Sequence, residues 1–399
     1  MTDVVVVGAG PAGATLAGLL AHRGIKVTLL ERRQDFAREF RGEILMPSGM
    51  AALQDMGIAH LIDKIPHHTQ TGIAVFMNGR QLFHQAFDPQ DLRGLPPVAI
   101  SQPAFLQAVI DWASESEHFE FISGVSIRDL LTKDGQVAGV TIRDGNQTRE
   151  IAARLTVGAD GRNSFVRRSG EFNAQEKSPP MDIVWCKIPC PEEWSSVHAY
   201  AGKGNLLFCY KTWDGNLQLG WVILKRTFGD LRARGIEEWV DVMANHVDAD
   251  LGGYLRTQAS AIQRPFLLDA EADCVDHWCT HGALLIGDAA HTMSPVGGQG
   301  VNVALRDAIV AANHLVPALQ ENQLSTATLA AIQAERMPEI APIQKIQAQP
   351  PKLMLSRKWW GEPLRKFLAW LIAKPQARAR AGSRVMPFLF GVTEVKLKV

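Results

Sequence analysis

The sequence predicts an α/β fold: a Rossmann-like nucleotide-binding domain, discontinuous in the chain, with a β-sheet domain interleaved in it and a helical C-terminal segment. Three observations predict this. A buried-strand run at residues 4–7 passes through Gly8-Ala9-Gly10-Pro11-Ala12-Gly13 into a helical pattern that reaches Arg23. A second strand, 26–30, follows and ends at Glu31, which makes a strand–turn–helix–strand unit of the length a dinucleotide fold requires. Far down the chain a second buried run, 284–286, enters Gly287-Asp288, a Gly-rich loop at 295–300 and another helical pattern, 301–316. Between the two lie short strands rich in Trp, Phe and Tyr, with a different texture. The expected division is 1–72, 98–176 and 264–330 for the nucleotide-binding domain, 73–97 and 177–263 for the sheet domain, and 331–399 for the helical segment.

Each element follows from a local signal. Ser48 is expected to cap a short helix, 49–56. Asn78-Gly79 marks a hairpin between strands 73–77 and 81–86. Residues 101–114 read as a helix with Pro103 near its first turn. Lys133-Asp134-Gly135 and Asp144-Gly145-Asn146 are turns between short strands. Polar residues and a Pro-Pro pair over 173–180 suggest a crossing between domains. Strands are expected at 182–187, 206–211 and 217–224, a helix at 229–247, a buried strand at 283–287, and mostly helix from Gln299 onward.

Composition narrows the class. With 399 residues, 46% hydrophobic and 21% charged, the chain is an ordinary globular protein of two domains or one large domain with an insert. Forty-one basic residues balance 41 acidic ones, so net charge favours neither nucleic acid nor membrane. The five cysteines form no C-x-x-C pair and no zinc-type spacing, and read as small hydrophobes in a reducing compartment. Residues 4–21 are apolar but lack a basic leader and are broken by glycines. No stretch reaches the 18 to 20 or so apolar residues that would span a bilayer. The expected location is the cytoplasm. Charge is uneven all the same: from residue 351 onward 11 Lys and Arg face only Glu362 and Glu394.

The motifs carry the chemistry. Gly8, Gly10 and Gly13 let a pyrophosphate approach the backbone and a helix N-terminus, whose N–H groups favour anions. Glu31 stands where a carboxylate can accept both ribose hydroxyls, and Arg32 and Arg33 can flank an adenine. That motif alone says only dinucleotide. Asp288 ends a strand where it can accept hydrogen bonds from a ribityl chain. The 295–300 loop and the helix after it offer N–H groups to negative charge on a flavin's pyrimidine ring.

The run 287–302, with its downstream Pro295 and Gly297-Gly298-Gln299-Gly300, resembles the "GD" motif of the class A (single-component) flavoprotein monooxygenases. Gly158-Ala159-Asp160-Gly161-Arg162-Asn163-Ser164-Phe165-Val166-Arg167 resembles the "DG" motif of the same family. The three motifs stand in the family order and cover the chain to about residue 316. The resemblance implies a para-hydroxybenzoate hydroxylase-like fold with a glutathione-reductase-type FAD-binding domain. It implies FAD contacts from Gly8, Gly10, Pro11, Ala12, Gly13, Glu31, Arg32, Asp160 and Asp288, and from Pro295, Gly298, Gly300, Val301 and Asn302 beside the isoalloxazine. Arg41 and Gln102 match positions that face the flavin. His291, beside the Gly-Asp turn, is read as a structural hydrogen-bonding residue.

The implied reaction uses NADH or NADPH and O2 to hydroxylate an aromatic or other electron-rich small molecule by way of a flavin C4a-hydroperoxide. The cofactor carries the hard step; the protein orients, desolvates and tunes it. No second fingerprint exists for the nicotinamide, so NAD(P)H is expected in a groove, with Arg162, Arg167 or Arg168 on its phosphates. Trp185, Tyr210 and Trp221 are candidate substrate linings, with His84, His198 and Tyr200 as lesser polar candidates. No metal site and no general acid or base stands out. The alternatives are a flavin-dependent reductase or epoxidase of a lipophilic, prenyl- or quinone-type substrate, or a non-catalytic FAD-binding protein. A halogenase reading fails because residues 184–189 keep only the Ile-Pro of the expected W-x-W-x-I-P. The basic segment with Trp359, Trp360 and Trp370 reads as a helix folded back on the FAD domain in preference to a peripheral membrane contact.

Overall fold

The computed structural model describes residues 2–36, 44–170, 172–177, 181–202, 204–262, 265–348, 363 and 386–399, with the side chains of 175–177 excepted. Arg41 and the Trp-rich part of the basic segment lie outside the described residues.

The sequence's apolar runs at 4–7, 27–30 and 283–285 are strands of a parallel sheet. Its strands stand in the order Ala283–Leu285, Gln147–Gly158, Thr2–Val7, Val27–Glu31 and Phe119–Ser123. Val4, Val5 and Val6 are fully buried, as expected of strands covered on both faces. The helix Pro11–Ala21 packs on the sheet side and against the helices Gln102–Ala113 and Gly300–Gln320. The strands Ser126–Lys133 and Gln136–Asp144 extend the Gln147–Gly158 edge as an antiparallel meander. Asp134 and Gly135, at φ 53° and 76°, take the left-handed turn that the sequence signalled there.

The second sheet has seven strands, in the order Phe266–Asp269, Met181–Pro189, Asn216–Leu224, Asn205–Lys211, Val197–Gly202, Gly72–Met77 and Arg80–Ala86. The hairpin at Asn78-Gly79 has φ 51° and 77°, as the dipeptide predicts. Phe266–Asp269, expected with the nucleotide-binding part, pairs instead with Met181–Pro189 and forms the edge of this sheet. The expected helix 229–247 is two, Phe228–Ala233 and Ile236–Ala244, because Gly235 turns to φ 99° between them. The short helix near Ser48 spans Pro47–Asp55 and is preceded by Met46, so Pro47 and not Ser48 opens it.

Strand alternation gives the second sheet two different faces. One is sealed by the helices Ile236–Ala244 and Ala249–Thr257, through Trp221, Trp239, Met243, Leu251 and Leu255. The other carries Met181, Ile183, Trp185, Leu206, Tyr210 and Val222, and packs with Ala99 and Val296 of the nucleotide-binding part. The face toward the Gly-rich loop is therefore defined by residue parity.

At the margin of the helix-covered face, His198 packs at a tilt against Trp194 (centroids 3.9 Å) and at 5.3 Å from Phe76. Its Nδ1 lies 3.1 Å from the Tyr200 hydroxyl, which donates to Asp248 at 2.7 Å. Burial lowers the His198 pKa to about 4 from 6.5, with Asp248 opposing the shift. Above about 6.5 both states hold the ring neutral. As pH falls from there toward 4 the unfolded chain takes the proton first, so stability declines. His198→Phe is expected to flatten this acid limb, read as unfolding midpoints against pH; an unchanged limb would exclude His198 as its source.

Candidate active site

Three chain segments meet at the carboxyl ends of the parallel strands, where open α/β sheets bind ligands. Gly8, at φ 102°, passes so close to the neighbouring segment that a Cβ there would lie 2.5 Å from the Ala159 carbonyl oxygen. A Cβ on Gly13 would lie 2.0 Å from the Gly8 oxygen. A Cβ on Gly287 would lie 3.0 Å from that of Ala12. Gly8 and Gly13 thus serve packing. Gly10, in the same motif, has nothing within 4 Å of a Cβ. It borders open space at the start of the helix Pro11–Ala21, where Pro11 fills the first turn and no side chain caps the N-terminus. Open space against unpaired N–H groups fits a diphosphate.

Glu31 is buried. Its Oε2 accepts from the Ala9 N–H and its Oε1 from the Arg33 N–H, both at 3.0 Å. The carboxylate thereby fixes the glycine turn while standing at the end of its strand, next to where a ribose would lie. Arg32 is exposed beside it. Asp160 turns toward its own loop: it accepts from the Phe165 N–H at 2.6 Å and from the Ser164 hydroxyl. Burial raises its pKa against these hydrogen bonds. Arg167 donates to Asp273 at 2.9 Å, and both side chains are largely buried. Arg162 reaches Asp288 at 3.4 Å, and the exposed Arg168 donates to the Asn163 carbonyl at 2.7 Å. Of the expected nicotinamide contacts, Arg167 is therefore committed to tying the 158–167 segment to the strand Ala272–Val275.

Asp288 is half-exposed. After it, Gly297 and Gly298 take φ 79° and 61°, and the 21-residue helix Gly300–Gln320 begins with no acidic residue in its first turn. Pro295, Gly298, Gly300 and Val301 are half-buried, and a Cβ on Gly300 would meet nothing within 4 Å. Asn302 is fully buried and works as a staple: its Nδ2 donates to Gly298 O (2.8 Å) and Ile44 O, and its Oδ1 accepts from the Met46 N–H at 2.8 Å. Gln102, half-buried, opens the helix Gln102–Ala113, which Ser101 caps.

Beneath the loop lies a group of buried charges. His291 Nε2 stands 2.7 Å from Asp307 Oδ2, which also accepts from the Gly287 N–H at 3.0 Å. Arg336, fully buried, donates to Asp307 at 2.7 Å and to Glu339. Arg306 donates to Glu339 at 3.0 Å. The expected structural role of His291 follows from this burial and pairing.

Across from the loop, Trp185 and Tyr210 share one apolar cluster with Val296. Trp221 is corrected. It lies on the opposite face, 1% exposed, stacked on Trp239 at 6.2 Å and donating to Asn205, so it belongs to the helix-covered core. His198 and Tyr200 lie on that same face. His84 pairs with Ala74 at its margin and contacts Ser196 at 3.1 Å.

A family model described as an FAD binding domain matches residues 1–343. The 6-methylpretetramide 4-monooxygenase of Streptomyces rimosus is 32% identical over 385 residues, 94% of this chain and 90% of that protein. The chain belongs to the class A flavoprotein monooxygenases. Solved structures repeat its fold. The p-nitrophenol 4-monooxygenase PnpA of Pseudomonas putida DLL-E4 aligns at a TM-score of 0.83 and 17% identity, covering 99% of both chains. PqsL of P. aeruginosa, in complex with 2-aminobenzoylacetate, aligns at 0.80 and 21% identity, covering 94% of this chain and 100% of its own.

Sequence reasoning missed Asp307, Arg336 and Glu339 in this monooxygenase. The one available signal was an Arg and two acids inside otherwise apolar helical patterns. Two predictions follow from the geometry. Gly10→Ala should change the unfolding free energy of the FAD-free chain by less than about 1 kcal/mol yet weaken FAD at least tenfold. Gly13→Ala should cost about 3 kcal/mol or more through the clash with Gly8. Thermal unfolding with FAD titration separates the two, and equal effects would refute the assignment. Arg336→Met should destabilise by about 3–5 kcal/mol in urea, because buried Asp307 would keep only His291 and buried Glu339 only Arg306.

Proposed function

We propose that this monooxygenase hydroxylates a planar, phenol-type aromatic molecule held between the Trp185–Tyr210 face and the 295–300 loop, with NADH or NADPH and O2 as co-substrates. The observation that carries the reading is the shared cluster of Trp185, Tyr210 and Val296: it puts two aromatic side chains of the second sheet in one apolar cluster with a residue of the loop that resembles the flavin loop. The relative named for 6-methylpretetramide supports an aromatic substrate. The five cysteines, all free thiols, support a reducing setting such as the cytoplasm. No helix among the described residues is long and apolar enough to cross a membrane.

Bound FAD supplies the redox and oxygen chemistry. The chain's residues do the rest. Gly10 and the start of the helix Pro11–Ala21 receive the diphosphate, and Glu31 receives the ribose. Asp288 accepts from the ribityl chain. The N–H groups of Gly300, Val301 and Asn302 face negative charge on the ring system, at a helix end that needs no side-chain cation. Arg162, held by Asp288 at the rim, is the remaining buried-side candidate for a nicotinamide phosphate. The apolar face excludes water and sets the substrate plane.

The purified protein should be yellow, with oxidised-flavin absorption bands. NAD(P)H oxidation should be followed across phenols, 6-methylpretetramide included, under labelled O2. The expected outcome is a product gaining one labelled oxygen atom. NAD(P)H consumption with a reduced, unoxygenated product would establish the reductase alternative instead, and a colourless chain that takes up no FAD would end the proposal.

A further inference from the structure

The last described segment, 386–399, is far from the three motifs in sequence but lies against the loop they form. The Phe388 ring packs flush on Gly297, where a Cβ would stand 2.7 Å from its Cδ1. Gln299 Nε2 donates both to the Gly297 carbonyl (2.8 Å) and to the Phe388 carbonyl (2.7 Å). Two residues on, Phe390 lies under the Arg93 guanidinium, 5.0 Å from the ring centroid, in the connection that follows the strand Arg80–Ala86 of the second sheet. The Val392 N–H donates to Glu339 at 3.1 Å, and Arg306 donates to the Thr393 carbonyl at 2.5 Å. Farther along, Asn313 holds the Lys396 carbonyl and the Lys398 N–H, both at 2.8 Å.

We propose that residues 386–399 form a strap that positions the 295–300 loop for FAD, with Phe388 as the positioning residue and Gln299 as its clasp. Gly297 and Gly298 occupy two successive left-handed conformations, which a glycine pair in solution holds only weakly. Asn302 fixes one side of the loop, to residues 44–46. The side toward Phe388 has the ring and the Gln299 bridge to hold it. A loop fixed on both sides presents its N–H groups in place before the cofactor arrives, so the cofactor does not have to order it on binding. The strap in turn rests on Glu339 and Arg306, so the same buried charges support the loop from below and from outside. Phe390 under Arg93 extends the contact to the sheet domain.

The test uses the full chain. Phe388→Ala should weaken FAD at least tenfold by titration, and speed hydrogen exchange across 295–300 in the FAD-loaded protein. Phe388→Leu should recover most of both. Trp239→Leu, in the helix-covered core of the second sheet, controls for stability: FAD affinity and loop exchange should stay within twofold of the parent. If Phe388→Ala does not fold, Gln299→Leu carries the test with the same two readouts. FAD affinity within twofold of the parent in the folded Phe388 or Gln299 variant would overturn the proposal. Equal weakening by Trp239→Leu would overturn it too, since the effect would then be general stability.

Discussion

Asp307 is the group on which the site depends. It is fully buried, and a lone carboxylate there would be held only at great cost. Burial alone would raise its pKa, but His291 and Arg336 beside it hold it below its ordinary value. Arg336 answers in kind: burial would lower it, and Asp307 with Glu339 keep it above the usual range. The carboxylate therefore stays charged, and one of its oxygens takes the Gly287 N–H. That hydrogen bond, with the Ala290 and His291 N–H groups on the Gly287 carbonyl, holds the turn from which Asp288 projects. A buried ion pair of this kind adds little stability over a well-packed apolar replacement, yet losing one member is severe. Its value here is placement: it joins the Gly287 turn, the long helix Gly300–Gln320 and the helix Thr326–Gln347 at one point.

The glycine contacts make a second constraint that works by exclusion. Gly8 against Ala159 allows the first two motifs to approach at backbone contact distance, and Gly13 against Gly8 closes the first motif's own turn. Once these chains touch, the ends of three parallel strands are fixed, and the residues that open to solvent follow from geometry. Gly10 and Gly300 stay open because they face outward from this packed knot. The open positions and the packed ones alternate within single motifs, so a motif is partly scaffold and partly site.

Much of this was legible in the sequence because its cause is local. The βαβ unit, the Asn78-Gly79 hairpin, the Asp134-Gly135 turn and the helix that starts near Pro103 each depend on a few neighbouring residues, and each is found where those residues stand. What was not legible depends on which face a residue takes or on partners far away. Trp185 and Trp221 look alike as strand tryptophans, but one lies in the cluster that includes Val296 of the loop and the other in the helix-covered core, and no local signal gives the sign of the alternation. Gly235 breaks a helix that apolar periodicity alone would continue. Phe266–Asp269 joins the second sheet through a partner some eighty residues earlier. The Asp307–Arg336–Glu339 group has the same character, since its members lie in two different helices.

The fate of the arginines sharpens the electrostatic argument. Arg167 is neutralised by Asp273 and Arg162 by Asp288, so two of the cations nearest the strand ends are already paired among the described residues. Oriented N–H groups at the helix starts Pro11 and Gly300 add a field of their own that favours an anion. Such dipoles neither titrate nor move, and they act with most force where water is excluded. An anionic reduced flavin held this way would keep its stabilisation across the neutral pH range, with no side chain required to gain or lose a proton.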